Sequence, residues 1–462
     1  MNADPAAQRF VEEAARSGYA TAPVKTTRMP PGIPYIVGNE AAERFSFYGM
    51  SGILTTFLAH HLQDASGHPA PMSAAGAVET YHLFVSAVYF TPLLGALISD
   101  AFWGKYRTIL YLSMVYCCGH LALALDSTRL GLAVGLTLIA FGAGGIKPCV
   151  SANVGDQFGA GNQHLLAKVF GWFYFAINLG AGLSQLWIPN LLEKSGPHVA
   201  FAAPGVLMLA ATVVFWLGRR KFAHIPPRRE TLLKEAFSPE GWRILARLGV
   251  LYIFLGIYFS LYFQSQSAWV LQADKMDRHW LGHEWLSAQL QSINPILVLV
   301  FIPLFSYGVY PLAGRVFPLT PLRKISIGLF LMVPTFLITA WIEHQIALGS
   351  HPNVAWQGAA YVLLTASEIL VSITALEFSY TQAPRKMKSL IMAYFFLAMS
   401  LGNLFTSIVN KLNEGRQGPL LSGVNYYLFF TGLMLAASVV FVFVAARFQV
   451  RNIIQDDAPA PA

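Results

Sequence analysis

Two carboxylates and a guanidinium interrupt an otherwise apolar run from about Pro34 to Leu62, within Asn39-Glu40-Ala41-Ala42-Glu43-Arg44-Phe45-Ser46-Phe47-Tyr48-Gly49. On a helix Glu40, Arg44 and Tyr48 fall at i, i+4 and i+8 and form one stripe, with Glu43 and Phe47 beside it. The run is long enough to cross a bilayer, where each charge costs about 2.5–3.5 kcal/mol on insertion scales. A pair that only locks one helix to its neighbours is the plain reading; the functional one is a charged wall of a water-filled cavity. A second cation, Lys147, sits in mid-span in Gly142-Ala143-Gly144-Gly145-Ile146-Lys147-Pro148-Cys149. Further along, Glu368 and Glu377 flank Ser372 and Thr374. Two fixed cations in the first half therefore face acids in both halves. A zwitterion with an amine at one end and a carboxylate at the other complements that arrangement.

The elements that position these groups must be membrane helices. The chain has 462 residues, 55% hydrophobic and 12% charged, with a mean hydropathy of +0.50; a soluble globular protein of this length is excluded. The net charge of +8 suggests nucleic acid, but the basic residues form no patch with interleaved aromatics. Cys117, Cys118 and Cys149 lie in apolar spans and offer neither a disulfide framework nor metal-ligand spacing. The first 33 residues lack an apolar core, so no cleavable signal peptide is expected.

Twelve spans are predicted, near 34–62, 76–100, 106–126, 130–156, 165–193, 199–219, 243–272, 284–312, 322–345, 353–384, 387–412 and 424–448. A charged connector, Arg219 to Gly241, divides them six and six. The predicted organisation is a cytoplasmic segment over 1–33, a six-helix bundle over 34–220, a cytoplasmic linker over 221–242, a second bundle over 243–450 and a disordered tail over 451–462. With the N-terminus inside, 23 Lys/Arg fall on the cytoplasmic side, six outside and two within the membrane. That bias places both termini in the cytoplasm of a cell (plasma or inner) membrane protein. Two such bundles suit a carrier that rocks about a midplane site.

Gly95-Ala96-Leu97-Ile98-Ser99-Asp100-Ala101-Phe102-Trp103-Gly104-Lys105-Tyr106-Arg107 resembles the loop signature of the major facilitator superfamily, with Asp100 able to cap a helix end or pair with Arg107. The Glu40-to-Gly49 stretch resembles the E-x-x-E-R-F-x-Y-Y-G motif of the proton-dependent oligopeptide transporters. Gly144-Gly145-Ile146-Lys147-Pro148 with Gly155-Asp156-Gln157-Phe158, and Phe173-Tyr174 with Ile177-Asn178 and Gly180, are similar to two further signatures. Asn294-Pro295 and Leu376-Glu377-Phe378-Ser379-Tyr380-Thr381-Gln382-Ala383-Pro384 continue the match, which runs from Pro34 to Val450.

The resemblance implies a major facilitator fold and proton-driven import of di- and tripeptides. It assigns Arg44 and Lys147 to the peptide carboxylate, and Asn178, Asn294 and Glu368 to its amine. Tyr48 and Tyr89 would line the peptide backbone, with Ser372 in the same site. Glu40, Glu43, Arg44 and His82 would couple protons. Substrate peptides, protons and membrane lipid are the implied partners, with no nucleic acid, no metal and no cofactor beyond the proton gradient. The carrier is expected to work as a monomer.

Three departures stand out. Phe47 replaces a motif tyrosine, Phe395 an aromatic that is often tryptophan, and Phe263 the seventh-span acid. Two extra helices carried by many bacterial members do not fit in the 219–241 connector. Nitrate import fits the kept E-x-x-E-R motif poorly, and a drug exporter would favour an apolar cavity over paired opposite charges. No nucleophile elbow or phosphate loop points to an enzyme.

Overall fold

The computed structural model describes residues 10, 12–14, 16–227, 239–382, 388–414 and 421–448. The linker core at 228–238, the end of the Leu376–Pro384 motif and the tail lie outside them. The described chain is almost entirely helical, as a bilayer requires of backbone that cannot hydrogen-bond to water. Helix α1 spans Ile33–His60, α2 Ala74–Ile98, α3 Gly104–Leu125, α4 Arg129–Gly155 and α5 Leu166–Leu217. In the second half α6 spans Pro239–Tyr262, α7 Ile293–Leu304, α8 Pro321–Ala347 and α9 Ala355–Glu368. Then follow α10 Thr374–Thr381, α11 Lys388–Glu414 and α12 Val424–Arg447.

Polar residues just before the apolar runs start several of these helices. Ser73 accepts a hydrogen bond from the Gly76 amide, Thr128 from those of Leu130 and Gly131, and Thr320 from that of Arg323. Nine helical stretches among the described residues are long and apolar enough to cross a membrane. Two of them, over 74–125 and 163–221, turn sharply at Gly104 (φ 72°) and at Gly196 (φ 79°), where only glycine takes the left-handed backbone without strain. Helix α1 carries the charges and is not among the nine.

The expected eighth span begins later than 284. Residues His279–Trp280 and His283–Glu284 pair as a small antiparallel hairpin, and helical structure resumes at Ser287. The turn between them, Leu281 (φ 54°) and Gly282 (φ 75°), holds the chain in a tight reversal. The seventh span also changes character. After α6 it tightens to a 3₁₀ turn over Phe263–Gln266 before a short helix, Ala268–Ala273.

In the first half α1 packs along α5, and α4 lies against both α2 and α3. In the second, α6 lies on α11, while α8 meets α9 and α12. The halves meet where α2 packs on α11 and α5 on α7. Close helix approach depends on facing glycines: a Cβ on Gly95 would strike the Gly145 backbone, and one on Gly402 the Gly256 backbone. Arg107 of the loop signature pairs with Glu13 at 2.6 Å, and Lys105 with Asp156 at 2.6 Å.

Candidate functional site

The charged stretch of α1 is dry. Glu40, Glu43 and Arg44 are 3%, 0% and 6% exposed, so their charges must be answered within the protein. Arg44 Nε lies 2.9 Å from Glu40 Oε1 and 2.6 Å from Glu43 Oε2. One guanidinium thus holds two carboxylates, the first at the i, i+4 spacing read from the sequence. Lys147 Nζ sits over two aromatic faces, 4.3 Å from the Phe47 ring centre and 4.6 Å from that of Tyr89. The departure at Phe47 therefore has a physical role, since a ring face attracts the ammonium. Lys147 also feels the charges of Arg44, Glu43 and Glu40.

A cavity opens in front of this wall, with about 890 Å³ between protein atoms, open solvent at its mouth included. Tyr48, Tyr89, Asn178, Asn294, Glu368 and Ser372 all line it. Arg44 and Lys147 stand behind Tyr48 and Tyr89 rather than in the lining. Tyr48 and Tyr89 share this lining with Glu368.

Glu368 ends α9, where the chain opens into a π turn over Ile369–Ile373. Its Oε2 accepts a 2.7 Å hydrogen bond from Asn294 Nδ2, whose other bond goes to Thr365 Oγ1 at 3.0 Å. Tyr262 donates to Asn294 Oδ1 at 3.3 Å. Among the described residues no ion pair joins Glu368 to Lys147; neutral donors hold this acid. Asn178 Nδ2 donates to the Tyr174 carbonyl one turn back, at 3.0 Å. Phe263, in the place expected of an acid, lines the cavity and packs on Tyr89 with ring centres 5.4 Å apart.

His82 is fully buried and stands apart from the cavity lining. Its Nδ1 lies 2.7 Å from Asn403 Oδ1 and its Nε2 2.9 Å from Ser267 Oγ, so it bridges α2 to both α11 and the broken seventh span. Nearby, Tyr81 donates to Gln266 at 2.8 Å and Ser86 meets Ser400 at 3.1 Å. Farther out, His60 faces Asp274 at 3.2 Å and Ser73 donates to Glu414 at 2.7 Å. Among the described residues, the polar contacts between the halves gather at this end, away from the start of α1. These contacts close the seam between the halves at that end.

Sequence reasoning missed Gln185, Gln266, Gln291 and the phenols of Tyr174, Tyr262 and Tyr361, all in the lining. The run Gln264-Ser265-Gln266-Ser267 inside an apolar span was the available signal.

The profile of the POT family matches residues 106–239 and 231–418. The chain belongs to the POT family. Among relatives, solute carrier family 15 member 2 of Danio rerio is 36% identical over 367 residues, covering 69% of this chain and 50% of that protein. Peptide transporter family 1 of Drosophila melanogaster is 34% identical over 366 residues, 69% of this chain and 48% of that one. The chain thus spans about half the length of the curated relatives it matches. Among solved structures, the POT family transporter PepTSo superposes with a TM-score of 0.84 at 34% identity, covering 92% of this chain and 99% of that one. These POT relatives are named as transporters rather than enzymes.

Proposed function

We propose that this POT family member is a proton-coupled symporter that imports di- and tripeptides by alternating access. The observation that carries the reading is the pair of opposed walls: Arg44 and Lys147 behind Tyr48 and Tyr89 on one side, Glu368 with Asn294 and Asn178 on the other. A short peptide fits end to end, its carboxylate toward the cations and its ammonium toward Glu368. Tyr48, Tyr89 and Ser372 take the backbone between them. Glu40, Glu43, Arg44 and His82 carry the proton coupling, and no cofactor beyond the proton gradient is needed.

The chain crosses the membrane twelve times in two six-helix bundles, over 34–220 and 243–450, joined by the 221–242 linker. Counting α1, and dividing two of the nine apolar stretches at Gly104 and Gly196, supports that number. With the positive-inside bias, both termini lie in the cytoplasm of the plasma or inner membrane. The closed end then faces outward, and this conformation opens inward. A single chain holds the entire site, which supports a working monomer.

The test is uptake of labelled dialanine into proteoliposomes with and without an inward proton gradient. Accumulation above equilibrium only with the gradient is expected; equal uptake in both would overturn the coupling.

A further inference from the structure

Apart from the substrate cavity, α2 and α4 enclose a groove on the outer face of the first bundle. Both helices start at one end of it, with Met72 at the turn into α2 and Arg129 as the first residue of α4. They touch farther along, where Gly95 lies on Gly145 and a Cβ on Gly144 would strike Thr91. Between that crossing and the helix starts the groove holds about 1120 Å³, the open space at its mouth included. Every residue that lines it belongs to α2, to α4 or to the turn at Met72. Phe84, Leu132 and Leu136 form a buried floor, while Leu83, Phe90 and Phe141 are exposed at the rims. Midway along, only the small side chains of Ala87, Ala133 and Thr137 face outward, so nothing from the protein fills the trough.

The hydroxyls near this trough are largely spent on the protein. Thr91 donates to the Ala140 carbonyl at 2.7 Å, and Thr80 lies 3.5 Å from the Met72 sulfur. What remains is an apolar trough with one cation at its end. From Thr80 to Leu94 the helical rise gives a length of about 20 Å. One leaflet of hydrocarbon is about 15 Å deep, so a tilted lipid tail matches the trough. Lipid tails are as apolar as leucine, and a tail therefore gains packing here rather than escape from water. Preference for one lipid over another must come from the headgroup.

Arg129 supplies that preference. It is exposed at the mouth, and among the described residues its side chain has no ion-pair or hydrogen-bond partner. The acids near it are turned elsewhere. Asp126 accepts from the Thr128 amide at 2.8 Å, and Glu79 faces Lys411 on α11 at 3.9 Å. The positive end of the α4 dipole adds to the guanidinium charge. We propose that this groove is a phospholipid site, with one acyl chain between α2 and α4 and the phosphate on Arg129. Both walls belong to the first bundle, so the site stays whole as the halves move, and it stands independently of what the carrier transports.

The experiment uses the purified full chain in an uncharged detergent. It is labelled with phosphatidylglycerol that bears a diazirine at the end of one chain, and in parallel with diacylglycerol carrying the same chain and no phosphate. Labelled residues are then mapped by mass spectrometry. Label from phosphatidylglycerol should concentrate over 83–94 and 132–141, at about five times the level given by diacylglycerol. Arg129→Gln should bring the two probes to the same level. Ala87→Phe combined with Ala133→Phe fills the trough from its outer side and should exclude both. Melting temperatures near that of the unmodified protein establish that the variants fold, and Arg129→Gln, at an exposed position, decides the matter if the double variant does not. Label spread evenly over all lipid-facing helices, or equal labelling by the two probes in the unmodified protein, would mean annular lipid only and overturn the site. Exclusion of both probes from the unmodified groove would mean that a second copy of the chain covers this face, and would overturn it as well.

Discussion

The two charged walls of the cavity are built on opposite plans. On the α1 wall, charges answer one another: Arg44 holds Glu40 and Glu43, and aromatic faces hold Lys147. On the α9 wall, among the described residues, Glu368 is held by a neutral group, the Asn294 amide, which in turn accepts from the Tyr262 phenol. A self-answered cluster stays put until a competitor for Arg44 arrives. An acid with neutral donors keeps its attraction for an incoming ammonium. Under the proposed symport, the first wall would release and exchange protons and the second would capture a substrate end.

The comparison breaks most severely at Arg44. Removing one partner of a buried pair costs about 3–5 kcal/mol, so Arg44→Gln should lower the thermal stability of the purified protein and abolish uptake. Arg44→Lys should regain stability better than transport, since a point charge cannot hold two carboxylates as a planar fork does. Wild-type uptake by Arg44→Lys would show that the wall needs only charge.

Glu368→Gln tests the other wall. It should raise the half-saturating dipeptide concentration by about ten- to a hundredfold while the melting temperature stays near wild type. The Asn294 amide can still bond to a glutamine oxygen. An unchanged half-saturation would place Glu368 outside the site. From the substrate's side, amidating the dipeptide C-terminus should weaken competition by a similar factor, about ten- to a hundredfold, through the α1 wall. Equal inhibition by free and amidated peptide would contradict a carboxylate held by Arg44 and Lys147.

His82 separates coupling from binding. Imidazole is the side chain suited to switching near neutral pH, and this ring ties the halves together at the closed end. In His82→Gln, accumulation driven by a proton gradient should collapse while exchange at equal pH persists. Unchanged accumulation would make His82 a packing residue and leave coupling to the α1 wall alone. The smallest effect is expected at Tyr81→Phe, which deletes one neutral bond to Gln266 worth about 0.5–1.5 kcal/mol. It should favour opening of the closed end, read as faster labelling of a cysteine placed at that end.

The sequence by itself determined the helical membrane class, the family and the charged stripe. Each rests on local signals: apolar length, residue spacing and motifs whose order survives without a structure. The Glu40–Arg44 pair was legible because helical spacing alone brings i and i+4 together. Most of the lining was legible too, through the resemblance at Tyr48, Tyr89, Asn178, Asn294, Glu368 and Ser372. Only the tertiary structure decided that Lys147 rests on Phe47 and Tyr89, that Glu368 turns to Asn294, and that His82 reaches Asn403 and Ser267. Those partners lie between about 60 and 320 residues away along the chain. Which helix faces which is set by glycine contacts such as Gly95 on Gly145 and Gly256 on Gly402, and periodicity within one helix carries no information about its neighbour. The late start of the eighth span had the same cause: a hairpin is stabilised by pairing across a turn, not by the hydropathy of either strand.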